Sequence, residues 1–130
     1  RHGEAVAIDC VMSTMLANVK GLVSDAEANR VLDLYAALKL PCSIQGITAE
    51  TYKVATREIT VHRDGILRAP LPHGIGRCAF VDEFTDAEID QAFAKLEAFM
   101  ATHPDVSWDT SKSFNARGFV GDYVGGGPTP

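Results

Sequence analysis

Two tetrapeptides, Ser24-Asp25-Ala26-Glu27 and Thr85-Asp86-Ala87-Glu88, share one pattern: a hydroxyl residue followed three positions on by glutamate. At a helix start of this kind the hydroxyl accepts from the third helical amide and the glutamate reaches back to the cap amide, so two orphan donors are satisfied together. Each pattern therefore fixes where a helix begins. Val31, Leu34, Tyr35 and Leu38 are expected as the buried stripe of the first helix, which Pro41 ends because the residue before a proline is pushed out of the helical region. Ile89, Phe93, Leu96 and Met100 line one face of the second. Ahead of both, Ala5, Ile8, Met12, Met15, Leu16 and Val19 recur at helical spacing and predict an opening helix that Gly21 stops. Met12 and Met15 read as gap-filling core residues. Thr48 repeats the start signal for a helix to about Thr60, with a weaker stripe of Tyr52, Val54 and Ala55.

The segments between these helices are short. Asp64-Gly65 is turn chemistry. Ile66 to Leu71 and Cys78 to Val81 are apolar runs on either side of Pro72-His73-Gly74-Ile75-Gly76, which predicts a small two-stranded hairpin with a glycine-bearing loop. Those glycines make no dinucleotide fingerprint, which needs a third glycine and a helix inside a βαβ unit. The fold class is therefore mainly α with one hairpin. After His103-Pro104 the periodicity stops, so residues 1–104 are expected as one helical domain and 105–130 as an extended tail. Trp108, Phe114, Phe119 and Tyr123 are expected to lie over another surface, and Gly125 to Pro130 to be flexible.

The 130 residues suit one domain with a modest core, and 46% hydrophobic with 22% charged content suits a soluble globular chain. A net charge of −5 without a Lys/Arg run argues against a nucleic-acid partner. No apolar stretch reaches the ~18 residues of a membrane span, so no membrane association is expected. Cys10, Cys42 and Cys78 lack the paired spacing of a structural zinc site and point to a reduced, cytoplasmic chain, with Cys10 and Cys78 expected as small buried hydrophobes.

The opening string Arg1-His2-Gly3-Glu4-Ala5-Val6-Ala7-Ile8-Asp9 resembles the HGE-AVAIG segment of the sugar phosphate cyclases, the family that includes 3-dehydroquinate synthase. Leu38-Lys39-Leu40-Pro41, His62-Arg63-Asp64-Gly65-Ile66-Leu67-Arg68 and Gly74-Ile75-Gly76 follow in the order and approximate spacing of that family's further segments. The resemblance covers about residues 1–100 and implies the C-terminal helical domain of such an enzyme. The dinucleotide-binding α/β half would then lie upstream and be absent from this chain. A start inside the motif, without methionine, fits that expectation.

On its own, His2 is one imidazole, and a catalytic zinc takes three protein ligands. The resemblance makes His2 one of them, with a Glu and a His upstream. It also implies tightly held NAD, zinc (cobalt being the alternative metal), a homodimer, and a seven-carbon sugar phosphate substrate. The implied chemistry is transient oxidation of a hydroxyl, elimination of phosphate, reduction and an intramolecular aldol closure. Family members that take a carboxylate-bearing substrate show an Asp-Lys-Lys stretch before the Arg-Asp-Gly turn; here it is Ile59-Thr60-Val61-His62. Without those lysines a neutral ketose, sedoheptulose 7-phosphate, is the expected substrate. Asp9, where dehydroquinate synthases usually have Gly, points the same way.

His62 resembles the residue of the branch that forms 2-epi-5-epi-valiolone, whereas the gadusol-forming branch tends to have Thr. His62 is thus the expected catalytic and substrate-binding residue, and Arg63 a substrate-binding one. Read without the resemblance, His62 is an exposed polar residue before a turn, and Arg63 and Arg68 are solvated charges. His73 reads as a loop residue, and His103 as a cation suited to a helix C-terminus. A reading from another class is a stand-alone helical interaction module with the aromatic tail as its docking arm.

Overall fold

The structure is a computed structural model that describes residues 2–44 and 46–108. Its elements in order are α1 (His2–Val19), α2 (Asp25–Leu38), β1 (Ser43–Ile44), α3 (Ala49–His62), β2 (Ala69–Pro72), β3 (Cys78–Val81), α4 (Asp86–Thr102), a 3-10 turn (Pro104–Val106) and β4 (Ser107–Trp108). The mainly α reading with one hairpin holds.

The helix starts follow the local chemistry. Ser24, Thr48 and Thr85 are N-caps whose hydroxyls accept from the amides of Glu27, Thr51 and Glu88, and each box is closed by the reciprocal bond. Both early helices end in a left-handed residue. At Gly21 (φ +81°) the Leu22 amide donates to Ala17 and the Gly21 amide to Asn18. At Lys39 (φ +56°) the Leu40 amide donates to Tyr35 and the Lys39 amide to Ala36. This pair of bonds satisfies carbonyls that would otherwise be orphaned, and glycine enters the conformation without a Cβ penalty.

α1 is the central element, packed against α2, α4 and β2. The core is built from its Val11, Met15 and Leu16, with Leu32 and Tyr35 from α2, Ile89 and Leu96 from α4, and Leu71 from β2. The buried Tyr35 hydroxyl donates to the Ala7 carbonyl and so ties α2 to α1. The hairpin is antiparallel with Pro70 opposite Phe80 and Leu71 opposite Ala79. Its loop is anchored where the Gly74 amide donates to Leu22 at 2.9 Å.

Three stripes sit differently from the expected ones. On α2 the buried residues are Ala28, Leu32 and Tyr35, while Leu34 and Leu38 are 55% and 59% exposed. The buried seam runs through the small Ala28, which lets α2 approach closely, and the larger aliphatics are left on its outer side. On α3 Tyr52 is half-buried and Val54 exposed, and Lys53 alone is buried. On α1, Ala5 is exposed and Val11 buried in its place. Cysteine is also corrected: Cys42 is buried, but Cys10 lies on the open side of α1 and Cys78 at the exposed start of β3.

The chain past Pro104 still contributes to the core. Val106 is buried, its carbonyl accepts from the Cys42 amide at 2.7 Å, and β4 pairs in parallel with β1. A single valine after a helix stop carries no periodicity, so the sequence offered no sign of it. The expected positions of Phe114, Phe119, Tyr123 and Gly125 to Pro130 lie outside the described residues. No described helix is long and apolar enough to cross a membrane.

The capping boxes carry a pH dependence. The Ser24 amide and hydroxyl hold the Glu27 carboxyl below its ordinary value of 4.5. At Glu88 burial works to raise the carboxyl, but the Thr85 amide and the Lys20 ammonium at 2.9 Å outweigh it and leave it lowered too. A depressed carboxyl contributes stability above its unfolded value that is lost as pH falls through the folded one. Urea midpoints should therefore fall as pH drops below 4.5. The fall should be shallower in the double variant Glu27→Gln, Glu88→Gln; identical slopes would show that these boxes do not carry it.

Candidate functional site

The expected site residues occupy helix ends. His2 is the first residue of α1 and is exposed. Its ring makes no hydrogen bond or ion pair among the described residues, so both nitrogens are open to a ligand. No group of three or more His, Cys, Asp or Glu side chains able to hold a metal occurs among the described residues. His2 therefore fits a metal site as one donor and not as a complete site.

His62 is the last residue of α3 and Arg63 its C-cap. The turn that follows is tightly bonded. The Arg63 and Gly65 amides both donate to the Thr60 carbonyl, at 3.1 and 2.9 Å, while Asp64 and Gly65 take positive φ. Arg63 reaches across this turn, its Nη1 donating to the Leu67 carbonyl at 3.3 Å, which holds the guanidinium beside the end of α3. His62 and Arg63 are thus brought together and exposed side by side. No hydrogen bond or ion pair joins His2 to either of them among the described residues.

Between α1 and α3 runs a cleft of about 230 Å³ lined by Glu4, Ala5, Ile8, Asp9, Met12, Ile47 and Tyr52. Helical spacing puts His2, Val6 and Asp9 along one side of α1, so the cleft starts about one turn from His2. Tyr52 lies edge-on to Phe93, with ring centroids 5.7 Å apart. Burial first, and the Asp9 carboxylate second, push its hydroxyl up to about 12, so it stays protonated at neutral pH. This cleft was not foreseen. Asp9 stood out only as a departure from the resembling family, and Tyr52 only as a weak core residue.

His73 and His103 have structural surroundings. The His73 amide closes the hairpin loop onto Arg77 at 2.9 Å, and the His103 ring stacks on Phe99 at 4.2 Å. Arg68 is exposed.

Residues 1–59 match the family described as 3-dehydroquinate synthase C-terminal, and the chain is similar over most of its length to sugar phosphate cyclases.

Among relatives, it is 42% identical over 95 residues to a 2-epi-5-epi-valiolone synthase of Streptomyces hygroscopicus subsp. jinggangensis, a match to 73% of this chain and 23% of that one. A demethyl-4-deoxygadusol synthase of Trichormus variabilis is 33% identical over 79% of this chain and 25% of its own. The structure is similar to that of ValA, the 2-epi-5-epi-valiolone synthase from Streptomyces hygroscopicus subsp. jinggangensis 5008 with NAD+ and Zn2+ bound. The TM-score is 0.70 at 41% identity, covering 75% of this chain and 27% of that one. The chain spans about a quarter of the length of these relatives.

Proposed function

We propose that this chain is the C-terminal metal and substrate domain, residues 1–104, of an enzyme that converts sedoheptulose 7-phosphate to 2-epi-5-epi-valiolone with release of phosphate. The observation that carries it is the end of α3, where the His62 imidazole and the Arg63 guanidinium are both exposed and the preceding Ile59-Thr60-Val61 holds no lysine. A fixed cation ~4 Å from a carboxylate is worth about 1 kcal/mol in water and about 4 kcal/mol near a protein surface. Each lysine missing beside Arg63 therefore costs a carboxylate-bearing substrate about 5-fold to 1000-fold in affinity. A ketose phosphate without the carboxylate forgoes nothing there.

In this reading His62 faces the ring, where an imidazole can serve as a general acid or base. Arg63, anchored to the Leu67 carbonyl, orients substrate oxygens beside it. His2 would be one zinc ligand, the others coming from upstream. Zinc supplies Lewis-acid polarisation of a substrate oxygen. No described element is a dinucleotide-binding unit, so NAD would be held by the upstream half, which is this domain's first partner. A homodimeric, cytoplasmic enzyme completes the proposal.

The test is substrate choice. The longer enzyme carrying this chain, given NAD and zinc, should release phosphate from sedoheptulose 7-phosphate at least 100-fold faster than from the acidic sugar phosphate used by dehydroquinate synthases. Comparable turnover of both would overturn the electrostatic argument. A gadusol-type product, identified by mass spectrometry and NMR, would move the chain to the branch of its Trichormus relative.

A further inference from the structure

Helix α3 is attached to the fold in a way its sequence pattern conceals. Its one buried residue is Lys53, at 7% exposure, whereas Val54, Ile59 and Val61 are exposed, Val61 to 75%. Tyr52 of α3 lies edge-on to Phe93 of α4. Ionic contacts to α4 add to it. Lys53 Nζ lies 2.8 Å from Asp90 Oδ1 on α4 and 2.9 Å from Glu50 Oε2 in the first turn of its own helix. Arg57 and Asp86 form a second bridge at 3.3 Å, but both are more than half exposed, and such pairs contribute little. The Lys53 ammonium is different. Its side chain is 9% exposed, so its stem is held against the fold while the ammonium bridges the Glu50 and Asp90 carboxylates at the rim.

We propose that Lys53 is a positioning residue: bridging Glu50 and Asp90, it fixes the tilt of α3 against α4 and so sets where His62 and Arg63 stand. The inference rests on the reading of His62 as substrate-facing. His62 lies nine residues beyond Lys53 on the same helix, or about 14 Å at ~1.5 Å per residue. A tilt of about 10° at Lys53 would move His62 by roughly 2 Å, and a misplacement of ~1 Å can cost about 100-fold in rate.

The test uses the longer enzyme and a cycle of variants. Lys53→Met keeps the stem and removes the ammonium. It should lower kcat/KM for sedoheptulose 7-phosphate at least 10-fold when His62 is present and less than 2-fold in a His62→Ala background, since a residue acting through His62 has nothing left to position. Lys53→Arg should restore at least half the activity. Hydrogen–deuterium exchange on the same preparations needs no turnover: amides of α3 should exchange at least 10-fold faster in Lys53→Met, with α1 and α4 unchanged. Unchanged α3 exchange, or an equal loss of activity in both His62 backgrounds, would overturn the proposal. Absence of turnover on any sugar phosphate would instead defeat the substrate reading, and exchange would still decide the anchoring of α3.

Discussion

His2→Ala is expected to strip zinc and activity together from the longer enzyme while leaving this domain folded. The separation follows from where the structure puts the residue. His2 is exposed in the first turn of α1, and its ring has no protein partner among the described residues. Surface substitutions away from caps and buried networks change stability by about 0.5 kcal/mol or less, so the melting temperature should stay within a few degrees of wild type. A metal ligand behaves differently. Removing even the group behind a ligand costs ~10–100-fold in metal affinity or activity, and removing one of three ligands should cost more. Elemental analysis beside a thermal melt decides it. Full zinc occupancy in the alanine variant would return His2 to the role of an ordinary first-turn residue and take the metal reading with it.

Helix starts were legible because their signals are local. The boxes at Ser24 and Thr85 place two cap residues correctly, and Thr48 does so with a threonine in place of the usual glutamate. Helix faces were less legible. A stripe read from periodicity alone prefers large aliphatics, so it chose Leu34 and Leu38; the tertiary contact preferred Ala28 and Leu32, which permit a closer approach to α1. The same bias hid Lys53. A lysine in a weakly apolar helix reads as solvated, and its partner Asp90 lies 37 positions away, beyond any local rule.

Cys10 shows the limit from the other side. Its placement on a helix was right, but the helix turns it away from the core that Val11 and Met12 enter. For the site, periodicity and spacing supplied no role for His2, His62 or Arg63, and their selection came from resemblance. The structure adds the tethering of Arg63 to Leu67 and the cleft beside Asp9 and Tyr52, neither of which a linear pattern encodes.

Leu16→Ala should be the most damaging single truncation in the domain, at about 3 kcal/mol within the ~2–5 kcal/mol span of buried leucine truncations. Leu16 is 0% exposed and sits on the helix that touches α2, α4 and β2. A hole there is bounded by several elements tied to one another, by Tyr35 to Ala7 on one side and Lys20 to Glu88 on the other, so the walls cannot simply close. Met12 and Met15, both buried nearby on α1, are the side chains flexible enough to fill part of it, which argues against the top of the span. For a domain of this size ~1 kcal/mol corresponds to roughly 4–8 °C, so the melting temperature should fall by about 12–24 °C. Leu34→Ala on the exposed side of α2 is the matched control and should cost about 0.5 kcal/mol or less. Urea denaturation of the two variants separates the assignments: equal losses would mean that the core does not converge on α1, and a larger loss at Leu34 would mean that the sequence-derived stripe, and not the buried seam through Ala28 and Leu32, carries α2.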